Sequence, residues 1–103
     1  IVKETSLSVL LDGHANHNIL VMHRAMELAL NKAKVHGVGI TGTKGSHEGS
    51  GALGFYVQYL ASQGLIGLAF SGSSKRVAPF GSYQPVFGTN PLAVGLPTSS
   101  NPI

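Results

Sequence analysis

The chain has 103 residues and a net charge of +3, with 11% charged against 43% hydrophobic residues. Its length admits one domain at most, and its Lys and Arg are scattered, with Lys32/Lys34 and Lys75/Arg76 the only close pairs, so the basic stripe of a nucleic-acid footprint is missing. There is no cysteine, which excludes disulfides and thiolate metal sites, and no apolar run reaches the ~18 residues of a membrane span.

The absence of cysteine and of a signal-peptide pattern leads us to expect a cytoplasmic protein. Low charge with high apolarity predicts that some apolar surface meets a partner or further chain. The opening Ile1-Val2-Lys3, without Met, and the close on Ser99-Ser100-Asn101-Pro102-Ile103 suit a piece of something larger.

Residues Val2 to Leu11 alternate imperfectly and end at the turn pair Asp12-Gly13, predicting a strand or a broken strand pair. A helix is expected from Asn16 or Asn18 to His36. Ile19, Met22, Met26, Ala29, Leu30 and Ala33 recur at steps of three and four, an Asn is the expected cap, and Gly37 is the expected stop. Val21, Ala25 and Leu28 lie on a second face, so this helix should be covered on more than one side, by a partner chain or a further domain. Val38 to Thr43 reads as a strand.

A second helix is expected from Ser50 or Gly51 to Gln63, with Leu53, Tyr56, Val57, Leu60 and Ala61 on its apolar face. Gly54 weakens it by roughly 1 kcal/mol relative to Ala, which predicts that something needs close access at that turn. Leu65 to Phe70 is a continuous apolar run, expected to be a strand buried on both faces. Ser71–Ser74 is a polar loop, Val77–Gly81 an irregular segment, Gly88–Pro91 a turn, and Leu92 to Leu96 a last strand. Strand, helix, strand, helix, strand predicts a two-layer α/β arrangement with at least two crossover connections.

Thr41 to Gly51, between a strand and a helix, is the candidate site. The spacing of Gly45, Gly49 and Gly51 is not G-x-G-x-x-G, and Lys44 precedes the glycines, so neither a Rossmann fingerprint nor a P-loop is present. An anion site at the second helix's N-terminus is compatible with the pattern. His47, if just before that N-terminus, would feel the positive end of the helix dipole, which favours the neutral imidazole able to accept a proton; a loop histidine bonded to the backbone is the plainer alternative. Ser73, Ser74, Lys75 and Arg76 follow a buried strand, where ligands bind in α/β sheets, and a polar turn is their alternative reading.

His14 and His17 form H-x-x-H without an evident third ligand, so no metal site is expected. His23 reads as a helix-surface residue and His36 as part of a C-terminal cap. The carboxylates are Glu4, Asp12, Glu27 and Glu48, too few and too scattered for paired-carboxylate chemistry.

Asp12-Gly13, the Ala-rich helix, Ser46-His47-x-Gly49, Gly64-Leu65-Ile66-Gly67, Val77-Ala78-Pro79-x-Gly81 and Gly88-Thr89-Asn90-Pro91 follow one another in this order. Together they resemble the malate/L-lactate dehydrogenase family of NAD(P)-dependent oxidoreductases, which also contains ureidoglycolate dehydrogenase, sulfolactate dehydrogenase, diketogulonate reductase and piperideine-carboxylate reductase. This family is unrelated to the Rossmann-fold lactate and malate dehydrogenases. Ser82 stands where many members have a second glycine.

The resemblance implies that residues 1–103 are a single domain or a fragment of the central cofactor and substrate domain of a longer enzyme. It also implies an α/β two-layer sandwich of a mostly parallel or mixed sheet with two main helices, within a larger non-Rossmann fold. By the same resemblance, His47 matches a proton acceptor, or a substrate-orienting residue where an upstream histidine serves instead, and Ser73 matches a cofactor-contacting serine. The implied cofactor is NAD or NADP, the substrate a small 2-hydroxy or 2-oxo acid or, alternatively, a cyclic imine, and the assembly a homodimer. The 103 residues alone could also serve as a non-catalytic binding or dimerisation module.

Overall fold

The structure, a computed structural model, describes residues 1–101. The first expected strand is a pair. β1 (Lys3–Glu4) turns at Thr5, whose N–H donates to the Ser8 carbonyl, and returns as β2 (Ser8–Asp12), antiparallel to it. Helix α1 (Asn18–His36) follows, and then β3 (Ile40–Lys44), parallel to β2. These strands form one sheet in the order β1-β2-β3.

Helix α2 (Leu53–Ser62) leads to β4 (Gly67–Phe70), which pairs antiparallel with β5 (Leu92–Gly95) in a second, two-stranded sheet. The architecture is a two-layer α/β sandwich with mixed strand pairing and two main helices. Of the two crossovers expected, one exists. β2-α1-β3 joins parallel neighbours, whereas β4 enters a separate sheet, and no Cα of β4 comes within 8 Å of one in β3.

Helix α1 is capped by His17 rather than by an Asn: the His17 Nδ1 accepts from the Ile19 N–H at 3.3 Å. Its stop is the expected one. Gly37 takes φ 81°, and its N–H donates to the Ala33 carbonyl, a left-handed cap that glycine adopts without a Cβ penalty. The wide apolar arc is explained within the described residues. Ala25 packs with Val9 and Leu11 of β2, while Met26 packs with Leu53, Tyr56 and Val57 of α2 and Ala69 of β4. The first sheet and α2 are therefore the two covers.

Helix α2 starts later than expected, with Ala52 as its N-cap and no side-chain cap bond. At its end Gly64, at φ 79°, donates to the Ala61 carbonyl and Leu65 donates to the Leu60 carbonyl. That exit consumes Leu65 and Ile66, which shortens β4. Nor is β4 buried on both faces: Gly67 and Ala69 face α2, while Leu68 (57% exposed) and Phe70 (67%) face outward. A continuous apolar run hid a period-two strand, because the inward residues are merely small.

Gly67 and Gly95 are register partners, and both lie against α2: a Cβ on Gly95 would sit 2.4 Å from the Val57 carbonyl oxygen, and one on Gly67 would sit 3.1 Å from it. At Gly54, by contrast, a Cβ would meet nothing within 4 Å, so the close approach expected there lies instead at Gly67 and Gly95. We predict that Gly95→Ala destabilises the fold by about 1–3 kcal/mol through overpacking. Gly54→Ala should stabilise it by about 0.5–1 kcal/mol. Urea unfolding of the two variants checks both signs.

Candidate functional site

The stretch from Thr41 to Gly51 begins inside β3 and leaves it at Lys44. Gly45 turns the chain at φ 65°, with Asp12 Oδ1 packed where a Cβ would point. The loop is then sewn to the start of α1 by the backbone: the His47 N–H donates to the Asn16 carbonyl at 3.0 Å, and the Asn18 N–H donates to the His47 carbonyl at 2.8 Å. The Ser46 hydroxyl adds a bond to Asn18 Oδ1 at 2.8 Å. Asn18, expected as a cap, is thus a tether.

Two residues further on, Glu48 takes φ 67°, a conformation that costs a non-glycine residue on the order of 1–3 kcal/mol and concentrates at functional sites. The loop's far end is held by Tyr56 of α2, whose hydroxyl donates to the Ser50 carbonyl at 2.7 Å. Tyr56 and Ser50 are both buried. Burial pushes the Tyr56 phenol pKa up.

The opposite wall follows β4. The Ser73 hydroxyl accepts from the Thr89 N–H at 2.8 Å and lies 3.3 Å from the Thr89 hydroxyl, while the Ser73 N–H donates to Asn90 Oδ1 at 3.2 Å. Ser73 therefore fastens the Ser71–Ser74 loop to the Gly88-Thr89-Asn90-Pro91 turn. Arg76 adjoins it, its Nε donating to the Ser74 hydroxyl at 3.3 Å.

The two walls enclose a cavity of ≈ 540 Å³, lined on one side by Ser46, Glu48 and Gly49–Gly51 and on the other by Ser71–Ser74, Arg76 and Thr89. Ser73 lines it directly. His47 does not, although both its sequence neighbours do; its side chain is exposed and makes no hydrogen bond among the described residues. Because α2 begins at Leu53, His47 stands six positions before that helix and not just before its N-terminus.

The other titratable candidates are placed elsewhere. His14 is exposed at φ 44° and 4.0 Å from Asp12, and His17 caps α1 with its Nε2 4.0 Å from Glu48. No group of three or more His, Asp or Glu side chains among the described residues is placed to hold a metal. The His14 backbone N–H bonded to Asp12, followed by the nearby His14 and Lys44 charges, holds that carboxyl below its ordinary range against an opposing push from desolvation. Glu27 pairs with Arg24 and lies 3.9 Å from His23 on the surface of α1.

Tyr56 and Thr89 carry site contacts that the pattern did not single out. The available signals were a tyrosine on an apolar helix face, whose hydroxyl must find a partner when buried, and the hydroxyl within Gly-Thr-Asn-Pro.

The family model described as malate/L-lactate dehydrogenase matches residues 1–103. The chain belongs to the malate/L-lactate dehydrogenase family. It is 36% identical over 99 residues to the L-sulfolactate dehydrogenase of Methanothermobacter thermautotrophicus, covering 96% of this chain and 29% of that protein. It is 38% identical over 86 residues to the Delta(1)-pyrroline-2-carboxylate reductase of Pseudomonas fluorescens, covering 84% of this chain and 25% of that one.

Among solved structures, the malate dehydrogenase from Pyrococcus horikoshii superposes with a TM-score of 0.88 at 36% identity, over 98% of this chain and 29% of that chain. The 103 residues thus span less than a third of the relatives they match. Of the motifs that carry the resemblance to the malate/L-lactate dehydrogenase family, Ser46-His47-x-Gly49 and Gly88-Thr89-Asn90-Pro91 border the cavity described above. Among the described residues, no helix is long and apolar enough to cross a membrane.

Replacing Tyr56 by Phe removes the hydroxyl that holds Ser50 and should cost about 1 kcal/mol of stability. The phenol's raised pKa means that the folded state keeps its proton where the unfolded state has lost it. Stability from this residue is therefore complete below about pH 10 and falls as pH rises through the folded-state value. Unfolding measured from pH 8 upward should show a smaller alkaline loss in Tyr56→Phe than in the parent.

Proposed function

We propose that this chain forms part of an NAD(P)-dependent oxidoreductase that moves a hydride between a nicotinamide cofactor and C2 of a small 2-hydroxy or 2-oxo acid. In this reading the 103 residues are a fragment of the central domain of a longer, dimeric, cytoplasmic enzyme. The observation that carries it is the cavity shared by the Ser46-His47-x-Gly49 loop and the Ser71–Ser74 and Gly88–Pro91 segments, in a chain of this family.

The lining suits part of a dinucleotide. The cavity's size lies in the range of small-molecule sites, the Arg76 guanidinium can meet a phosphate, and the Ser74 and Thr89 hydroxyls can bond to phosphate or ribose. Gly72 and Gly49 leave the backbone open: a Cβ at Gly72 would meet nothing within 4 Å, and one at Gly49 only the Gly51 nitrogen at 4.0 Å. Ser73 would hold the Thr89 turn in place against the cofactor. When bound, the nicotinamide accepts or supplies the hydride.

The protein's own task is to orient the two carbons and manage one proton. His47, exposed beside the cavity with a ring free of hydrogen bonds to the described residues, takes the proton from the substrate hydroxyl as C2 loses its hydride and returns it in the reductive direction. Its backbone bonds to Asn16 and Asn18 fix where the ring starts, as an acid/base group requires.

A cyclic imine carboxylate is the second reading, favoured by the 38% identity to a Delta(1)-pyrroline-2-carboxylate reductase. Both substrate classes put a carboxylate next to the carbon that takes the hydride, and both need one proton on the adjoining heteroatom. Assays of the product of the complete reading frame with pyruvate, oxaloacetate, ureidoglycolate and a cyclic imine carboxylate separate the two.

With the preferred substrate, His47→Ala should lower kcat by roughly a hundredfold or more, the range for a lost acid/base, with KM little changed. An unchanged kcat contradicts the assignment, and a raised KM with kcat intact assigns His47 to substrate orientation instead.

A further inference from the structure

β3 and β4 each have one edge without a strand partner among the described residues, and the two edges face the same trough. On β3, the Ile40 N–H donates to Leu7 and the Lys44 carbonyl accepts from Gly13. Backbone direction alternates along a strand, so Gly42 also faces β2, while the N–H and C=O of Thr41 and Thr43 point to the open edge. On β4, the Ser71 N–H donates to Pro91, so Ala69 and Gly67 face β5 and the backbone groups of Leu68 and Phe70 point the other way.

Two cavities of ≈ 470 and ≈ 550 Å³ run along this gap and share Ala29, Thr41, Leu60, Leu68 and Phe70. Their common floor is α1 and α2, and their walls are the two open edges. No Cα of β3 lies within 8 Å of one in β4, whereas two strand spacings amount to roughly 9–10 Å. The gap therefore exceeds direct pairing, and the two cavities are open space between the edges that an inserted strand can enter.

We propose that one extended β-strand lies in this trough, pairing with Thr41 and Thr43 on one side and with Leu68 and Phe70 on the other, and that it merges the two sheets into one. Its source, on the proposed reading of residues 1–103 as a fragment of a longer enzyme, is a segment of the same polypeptide outside them. The P. horikoshii enzyme superposes over 98% of this chain while only 29% of its own length is used, so in a relative most of the polypeptide remains to supply such a strand. The strand also bears on the site. β3 runs into the Ser46-His47 loop and β4 into the Ser71–Ser74 loop, and a strand bonded to both sets the distance between the two walls.

Hydrogen exchange resolved by residue, on the product of the complete reading frame, tests this. The amides of Thr41, Thr43, Leu68 and Phe70 should exchange at rates within about tenfold of those of the ladder-bonded Ile40, Gly42 and Ala69. Exchange of the four as fast as the exposed loop amides of Ser73 and Ser74 would overturn the proposal. Protection that disappears on dilution to a monomer would overturn it too, since a second copy would then be the occupant.

Discussion

Gly67 and Gly95 face each other across β4 and β5; Gly95 has no room for a methyl group and Gly67 little, because the backbone of α2 at Val57 lies where the Cβ would point. This contact sets how closely the second sheet lies on its helix. Ala69 and the half-buried Ala93 continue the same small-residue surface, which lets Val57 and Tyr56 pack into the core with Met26 of α1. The position of β4 in turn fixes where the Ser71–Ser74 loop emerges, and β5 does the same for the Gly88–Pro91 turn. One wall of the candidate site is therefore built on a helix-to-sheet approach that only glycine permits.

The other wall is held by polar bonds instead of packing. The Ser46-His47 loop is bonded to the start of α1 through two backbone hydrogen bonds and the Ser46 to Asn18 contact, and to α2 through Tyr56. Both helices that carry these tethers also share the core, so the loop is referenced to the same rigid layer as the opposite wall. A site assembled this way keeps an exposed, strained residue such as Glu48 in place while leaving the His47 ring unbonded to the described residues. That combination suits a group that must exchange a proton with a ligand.

Much of this was legible in the residues. The periodicity of Met22, Met26 and Leu30 and the stop at Gly37 located α1, and the ordered motifs identified the family and the two loops that meet at the cavity. What misled was local reasoning about long-range packing. Leu65–Phe70 reads as doubly buried because its inward residues are Gly67 and Ala69, whose small size is a demand of α2 and leaves no period-two signal in hydrophobicity. Gly54 reads as an access point, yet a Cβ there would meet nothing, while Gly67 and Gly95, which do admit a close neighbour, are in strands that sequence order does not bring together. His17 takes the cap while both asparagines are engaged elsewhere, Asn18 with Ser46, a partner 28 positions away, and Asn16 with the Gly13 carbonyl.

The proposed function requires above all that the two walls bind a single nicotinamide dinucleotide. The most direct measurement is the change in amide hydrogen exchange when NADH or NADPH is added to the product of the complete reading frame. Gly49–Gly51, Gly72–Ser74 and Thr89 should become protected together, at dinucleotide concentrations that saturate binding. Protection confined to one wall, or binding that leaves both walls unchanged, would contradict it.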